Sequence, residues 1–300
     1  MLHGLKAWLE PGNPWRFLKQ WLGLETVAQP LPAWPQEWSA ILQERVHFYR
    51  ELSDAERPLF EQRCLQFLAD TRIEGGVEID VTDTDRLLVA ASAVIPVWGF
   101  PDWHYFNVDA VFLLPGPFND RFECGQPDSR ISGMVGSGPM SGKLALSRPD
   151  LHAGFANGRD KHNVGIHEFA HLIDGADGRV DGFPERMEPY RFAEPWFALV
   201  QKKVQDMEAG DTGIPQYGAT NPAEFFAVAS EYFFERPELM QKKHPQLYHW
   251  LSEFYRQNRA DAVRAQAIRE ATQRAVLKKQ KTPPSAKRAK SVLSGKKAAK

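Results

Sequence analysis

The chain has 300 residues, of which 43% are hydrophobic, 12% aromatic and 25% charged. That supplies a sizeable core and enough length for one large domain or two modest ones. A formal net charge of −1 excludes a global electrostatic bias toward nucleic acid or anionic membrane, but Lys278–Lys300 carries nine Lys or Arg and no acid, so residues 1–277 hold about −10.

Residues 1–35 are rich in Trp and Pro, including Trp8, Trp15, Trp21, Trp34, Pro11 and Pro35. This N-terminal segment reads as an irregular arm laid over the domain, or alternatively as a lid. Its apolar residues are interrupted by Lys6, Glu10 and Arg16, so no secretory h-region is present. From Glu37 the pattern turns helical. Trp38, Ile41, Leu42, Val46, Tyr49 and Leu52 share one face, and a second helical segment covers 54–70. Alternation of Val77, Ile79 and Val81 with Glu78, Asp80 and Thr82 predicts a half-buried strand. Leu87–Phe100 reads as a buried helix and turn, being too short to span a bilayer and interrupted by Pro96.

Further strands are expected within Tyr105–Leu114 and at Lys143–Ser147, the latter after a Gly- and Ser-rich stretch. Helices follow at about 161–174, 190–208, 221–235 and 244–275. The order of helices, a few strands and then helices predicts an α+β fold with a small sheet. Beyond Lys281 the composition becomes Lys, Ala, Ser and Pro, as in a disordered tail. The expected organisation is an arm (1–35), a main domain (36–277) and a basic tail (278–300). Cys64 and Cys124 form no CxxC pair, which argues against a thiolate zinc site or a disulfide framework and fits a reducing compartment, so the cytoplasm is expected.

Residues 167–171 read His-Glu-Phe-Ala-His, an HExxH motif. On a helix, i and i+4 share a face, so His167 and His171 can address one metal ion while Glu168 reaches a water beside it. Zinc suits imidazole and carboxylate ligands with one position open. The competing reading is a surface helix with two histidines. A third ligand should lie far along the chain, and Tyr217-Gly-Ala-Thr-Asn-Pro-Ala-Glu224-Phe-Phe stands out. Glu224 also has a reading without metal: Asn221 as N-cap, Pro222 at the first helical position and Glu224 at the third make a capping-box-like arrangement. Ligation and capping could coexist. Glu231, seven residues on, and Asp174 are rival acceptors for a ligand histidine's second nitrogen. For both, an exposed charge is the ordinary alternative. The acids of 174–178 lack EF-hand spacing, and His162 reads as a helix-entry residue. The strand at Lys143–Ser147 is expected near the motif helix, offering its backbone to an extended peptide.

The two blocks, His167-Glu168-Phe169-Ala170-His171 and Tyr217 with Asn-Pro-Ala-Glu-Phe-Phe, resemble the Mlc titration factor A family of zinc peptidases over most of residues 35–260. The same blocks are similar to the catalytic domain of anthrax lethal factor. The resemblance implies a mostly helical, zincin-like metallopeptidase domain of the HExxH-plus-Glu kind, with one zinc per chain on His167, His171 and Glu224. It further implies Glu168 as general base, Tyr217 as an aid to catalysis, aminopeptidase-like cleavage of peptide or protein substrates, and binding to a transcriptional repressor of sugar uptake. A rival reading keeps only the last of these, with a structural or vestigial zinc site. Nucleic-acid binding would rest on the tail's nine charges alone, and no membrane partner is expected.

Overall fold

The computed structural model describes residues 31–158, 160–184, 193–208 and 213–281. Most of the Trp/Pro-rich arm and the tail beyond Lys281 therefore lie outside the described residues. The fold is α+β: eleven described helices and a four-stranded mixed sheet. Helices α1 (Gln36–Arg45), α2 (His47–Glu51) and α3 (Arg57–Asp70) lead into β1 (Arg72–Gly75), α4 (Asp83–Val94) and β2 (Val108–Leu114). Strands β3 (Gly133–Val135) and β4 (Gly142–Ser147) follow, then α5 (Arg148–Ala156) and α6 (Val164–Asp174). The remainder is helical: α7 (Ala193–Glu208), a 3₁₀ turn at Gln216–Ala219, α8 (Pro222–Glu235), α9 (Pro237–Lys243), α10 (Pro245–Tyr255) and α11 (Arg259–Lys281). Among the described residues no helix is long and apolar enough to cross a membrane. Cys64 and Cys124 are both free thiols.

The sheet order is β1-β2-β4-β3, parallel except for the β4–β3 pair. β2 and β4 are the inner strands and their side chains are almost all buried, as expected of strands covered on both faces. β1 and β3 are the sheet's two edges.

Three local expectations change. The strand expected at Val77–Val81 sits earlier, at Arg72–Gly75. The Gly75-Gly76 pair lets the chain fold back, and a Cβ on Gly75 would come within 2.0 Å of the Ile79 carbonyl oxygen. Glu78 has φ +65°, and Val77 is 77% exposed, so the alternation here belongs to a turn. The first helical stretch breaks at Val46, which is fully buried in extended conformation. Arg50 Nη1 then satisfies the freed carbonyls of Gln43 and Glu44 at 3.1 and 2.8 Å. The long helix expected at 244–275 breaks at Arg256, in the left-handed region with φ +51°. Tyr248 Oη holds that break, donating to Asn258 Oδ1 at 2.8 Å and accepting from Ala260 N at 2.9 Å.

Helix α4 is the central buried helix. Thr82 and Asp85 form a capping box at its start. Asp85 is fully buried and also receives Arg148 through Nε at 2.8 Å and Nη2 at 2.9 Å, and meets His152 Nε2 at 2.7 Å. It thus ties α4 to α5. Burial alone would raise its pKa, but hydrogen bonds from His152, Arg148 and Thr82 hold the carboxyl well below the usual range. Asp85→Asn is expected to cost about 3 kcal/mol at neutral pH, because Arg148 and the helix cap lose a charged acceptor. Because the folded pKa is depressed, the carboxylate's contribution is present above about pH 4 and fades as pH falls toward the folded value. Paired urea melts at about pH 7 and about pH 3 should therefore show a smaller difference between parent and variant at the lower pH.

Candidate metal centre

Helix α6 is built into the interior, which excludes the surface-helix reading of its two histidines. Gly165 permits this: a Cβ there would come within 2.0 Å of Ser92 Oγ, so α6 and α4 pack nearly backbone to backbone. Asn163 starts the helix by accepting from Ile166 N at 3.1 Å. Helix α8 packs against α6, and its N-cap Asn221 accepts from Glu224 N at 2.9 Å. Only that arm of the anticipated capping box is used. The Glu224 carboxylate turns toward the histidines instead.

There the side chains converge. His167 Nε2 lies 3.2 Å from His171 Nε2 and 3.1 Å from Glu224 Oε2, and Glu224 Oε1 is 3.5 Å from His171 Nε2. Two imidazoles on a tetrahedral zinc at about 2.0–2.1 Å would hold their nitrogens roughly 3.3 Å apart, so the donor spacing fits such an ion. Among the described residues, these three are the cluster able to hold a metal.

The electrostatics favour a cation at the same point. Burial alone would lower the His167 pKa, but Glu224 and Glu231 raise it to about 10. For Glu224, burial pushes upward, yet hydrogen bonds with His167 and His171 bring it down to about 2. Glu231 is the acceptor for the second nitrogen: its Oε1 is 2.7 Å from His167 Nδ1. With Nδ1 turned to Glu231, Nε2 is the nitrogen directed into the cluster, the arrangement in which a ligand imidazole donates its other N–H to a carboxylate. Glu231 Oε2 in turn accepts from Asn163 N at 2.6 Å. Asp174, the rival, is fully buried but spends Oδ2 on Gly182 N at 2.7 Å. His171 Nδ1 is buried without a hydrogen-bond partner among the described residues. Neither acid is an exposed charge.

Glu168 is also buried, at 5% exposure, and burial raises its pKa. Edge strand β3 backs it: a Cβ on Gly133 would fall within 2.6 Å of the Glu168 side chain. Tyr217, on the turn before α8, is 59% exposed, with its ring 6.1 Å from that of His167. Its pKa is raised by partial burial and then by the Glu224 and Glu168 carboxylates. The five residues singled out by motif thus gather at one place, although 57 positions separate His167 from Glu224. Asn163 and Gly133 carry weaker signals: an Asn ahead of an apolar periodic run, and one glycine among many.

A partly buried His-His-Glu cluster with a further, buried glutamate beside it, on an α+β fold, defines a protein with a candidate single-metal site of the metallopeptidase type. The chain belongs to the glucose-regulated metallo-peptidase M90 family, whose model matches residues 20–256. It is 33% identical to an uncharacterized protein of Synechocystis, over 78% of this chain and 88% of that one. It is 27% identical to Mlc titration factor A of Klebsiella pneumoniae, over 75% and 88% of the two chains. With Mlc titration factor A of Salmonella gallinarum the identity is 33%, over 67% and 79%.

Proposed function

We propose that the chain is a cytoplasmic, zincin-like peptidase holding one zinc ion on His167, His171 and Glu224. The observation that carries this reading is the convergence of two imidazole nitrogens and a carboxylate at tetrahedral spacing, with Glu168 beside them and Glu231 fixing the His167 tautomer. When bound, zinc lowers the pKa of a coordinated water from 15.7 to about 7 and polarises the scissile carbonyl. Glu168 takes a proton from the attacking water and later delivers it to the leaving amine. The Tyr217 hydroxyl donates a hydrogen bond to the developing oxyanion. An extended peptide aligns along the open edge of β3, beside Glu168, by strand addition. The docking strand expected at Lys143–Ser147 is not free for this, because β2 and β3 occupy both edges of β4. Aminopeptidase-like cleavage is the activity proposed, and a peptide library read with and without a chelator tests it. No chelator-sensitive cleavage would overturn the reading.

A second role draws on the relatives' name, which makes them titration factors for Mlc. The corresponding proposal is that this chain also binds a transcriptional repressor. If it is only a sequestering protein, replacing Glu168 leaves repressor capture intact and there is no cleavage to lose.

Glu224→Gln separates ligation from capping. A cap-only role would leave zinc bound and cost at most about 0.5–2 kcal/mol. Ligation predicts a fall in zinc affinity larger than the roughly 10–100-fold expected for Glu231→Gln, with helix content little changed. Metal analysis after dialysis, alongside circular dichroism, reads both.

A further inference from the structure

Helix α11 leaves the body of the protein part-way along its length. Its first turn is packed: Ala260 is fully buried, Arg259 is 4% exposed, and the Arg259 guanidinium lies over the Phe48 ring at 4.2 Å. Arg269 Nη2 donates to the Glu51 carbonyl at 2.6 Å and ties the middle of the helix to α2. Every residue from Ala271 to Lys278 is exposed, so no face of these two turns is covered by the described residues. At 1.5 Å per residue, the stretch from Glu270 to Lys281 makes a rod about 18 Å long.

The rod is basic. Arg269, Arg274, Lys278, Lys279 and Lys281, with six more Lys or Arg in 282–300, oppose a single acid, Glu270, so residues 269–300 carry about +10 and residues 1–268 about −11. Glu270 pairs with Arg274 at 3.1 Å, but both side chains are exposed, and such a pair is worth little against a denser anion. The cationic run that composition places in the tail therefore starts on a projecting helix.

A membrane surface would call for an apolar face beside the basic one. Ile268, Val276 and Leu277 are exposed, but at 100° per residue they spread over about half the circumference, and no Phe, Trp or Tyr follows Tyr255. Carboxylates on a protein surface are scattered and often already paired, as Asp54 is with Arg57 and Glu74 with Arg72 on this chain. A DNA duplex instead presents one phosphate charge per roughly 1.7 Å of axis, and its major groove, about 12 Å wide, admits a helix. Ala271 and Ala275 keep the rod slim enough for close approach.

We propose that the projecting half of α11, together with residues 282–300, is a binding site for double-stranded DNA. Arg274, Lys278 and the bases that follow hold its phosphates, without reading base sequence.

Fluorescence anisotropy of the full-length, zinc-loaded chain with a labelled duplex of about 20 bp and arbitrary sequence, between about 50 and 200 mM salt, tests this. The expected result is saturable binding whose log K falls against log[salt] with a slope of about −5, as when roughly five or six phosphates are neutralised. The double variant Arg274→Gln, Lys278→Gln places a good helix former at two exposed positions. It should weaken binding at least about tenfold at about 100 mM salt and make the slope shallower by about 2, with circular dichroism and zinc content unchanged. An unchanged slope in that variant would overturn the proposal, since the helix would then make no phosphate contact. So would an absence of binding at about 50 mM salt, equal affinity for polyglutamate, or tighter binding to phosphatidylserine-containing vesicles. Peptide cleavage enters none of these readouts, so failure here is distinct from failure of the peptidase reading.

Discussion

Glu168→Gln is expected to retain zinc and to lower peptide turnover by about 10²–10⁴-fold, the range typical of a lost general base. Glutamine keeps the shape of the side chain, which matters because β3 leaves almost no slack: a Cβ at position 133 would stand only 2.6 Å from Glu168. The carboxylate is not among the three converging donors, so removing its charge leaves His167, His171 and Glu224 in place. Burial raises its pKa toward the range in which a carboxylate accepts a proton efficiently. Steady-state kinetics and metal content measured on one preparation decide the matter. Loss of zinc together with activity would make Glu168 part of the ligand set, and undiminished turnover would remove it from the chemistry.

Tyr217→Phe should reduce turnover roughly 100- to 1000-fold, equivalent to about 2.7–4 kcal/mol, with zinc content and substrate binding little altered. The substitution keeps the ring and deletes only the donor. Geometry favours a role at the site over simple packing: the ring lies 6.1 Å from His167, and the Glu224 and Glu168 carboxylates both act on its hydroxyl. The residue is 59% exposed, so the core gains little from it and folding stability should change by less than about 0.5 kcal/mol. Turnover within a factor of about two of the parent would return Tyr217 to the surface.

The HExxH spacing and an Asn-Pro-Ala-Glu run at a helix start are readable because both are local: i and i+4 fix one face, and Asn221 and Pro222 fix where α8 begins. Apolar runs likewise locate the strands at β2 and β4 and the buried α4, although α4 starts and ends earlier, at Asp83–Val94, than the helix and turn expected over Leu87–Phe100. Local pattern misleads where the backbone departs from its neighbours, as at Glu78, Val46 and Arg256, since alternation and helical spacing carry no record of a φ reversal or of a break stabilised from outside. The short edge strand β3 is hidden in a Gly- and Ser-rich stretch, because its pairing with β4 supplies what its own composition does not.

The sequence by itself determined the chemistry available: two imidazoles on one helical face, an adjacent carboxylate, and a glutamate and tyrosine bracketing a later helix start. Only the tertiary structure decided which of several acids did what. Glu231 and Asp174 are equal candidates along the chain, but the packing of α8 on α6 brings Glu231 to His167 Nδ1, whereas Asp174 gives one oxygen to Gly182 N and makes no hydrogen bond to either histidine among the described residues. Glu224 could have closed its own capping box, but at 3.1 Å from His167 Nε2 the buried imidazoles hold it more strongly than a backbone amide at a helix end. The physical reason is range. Helical spacing acts over about four residues, whereas desolvation and charge pairing act wherever the fold places the groups, and only the packed core sets those distances.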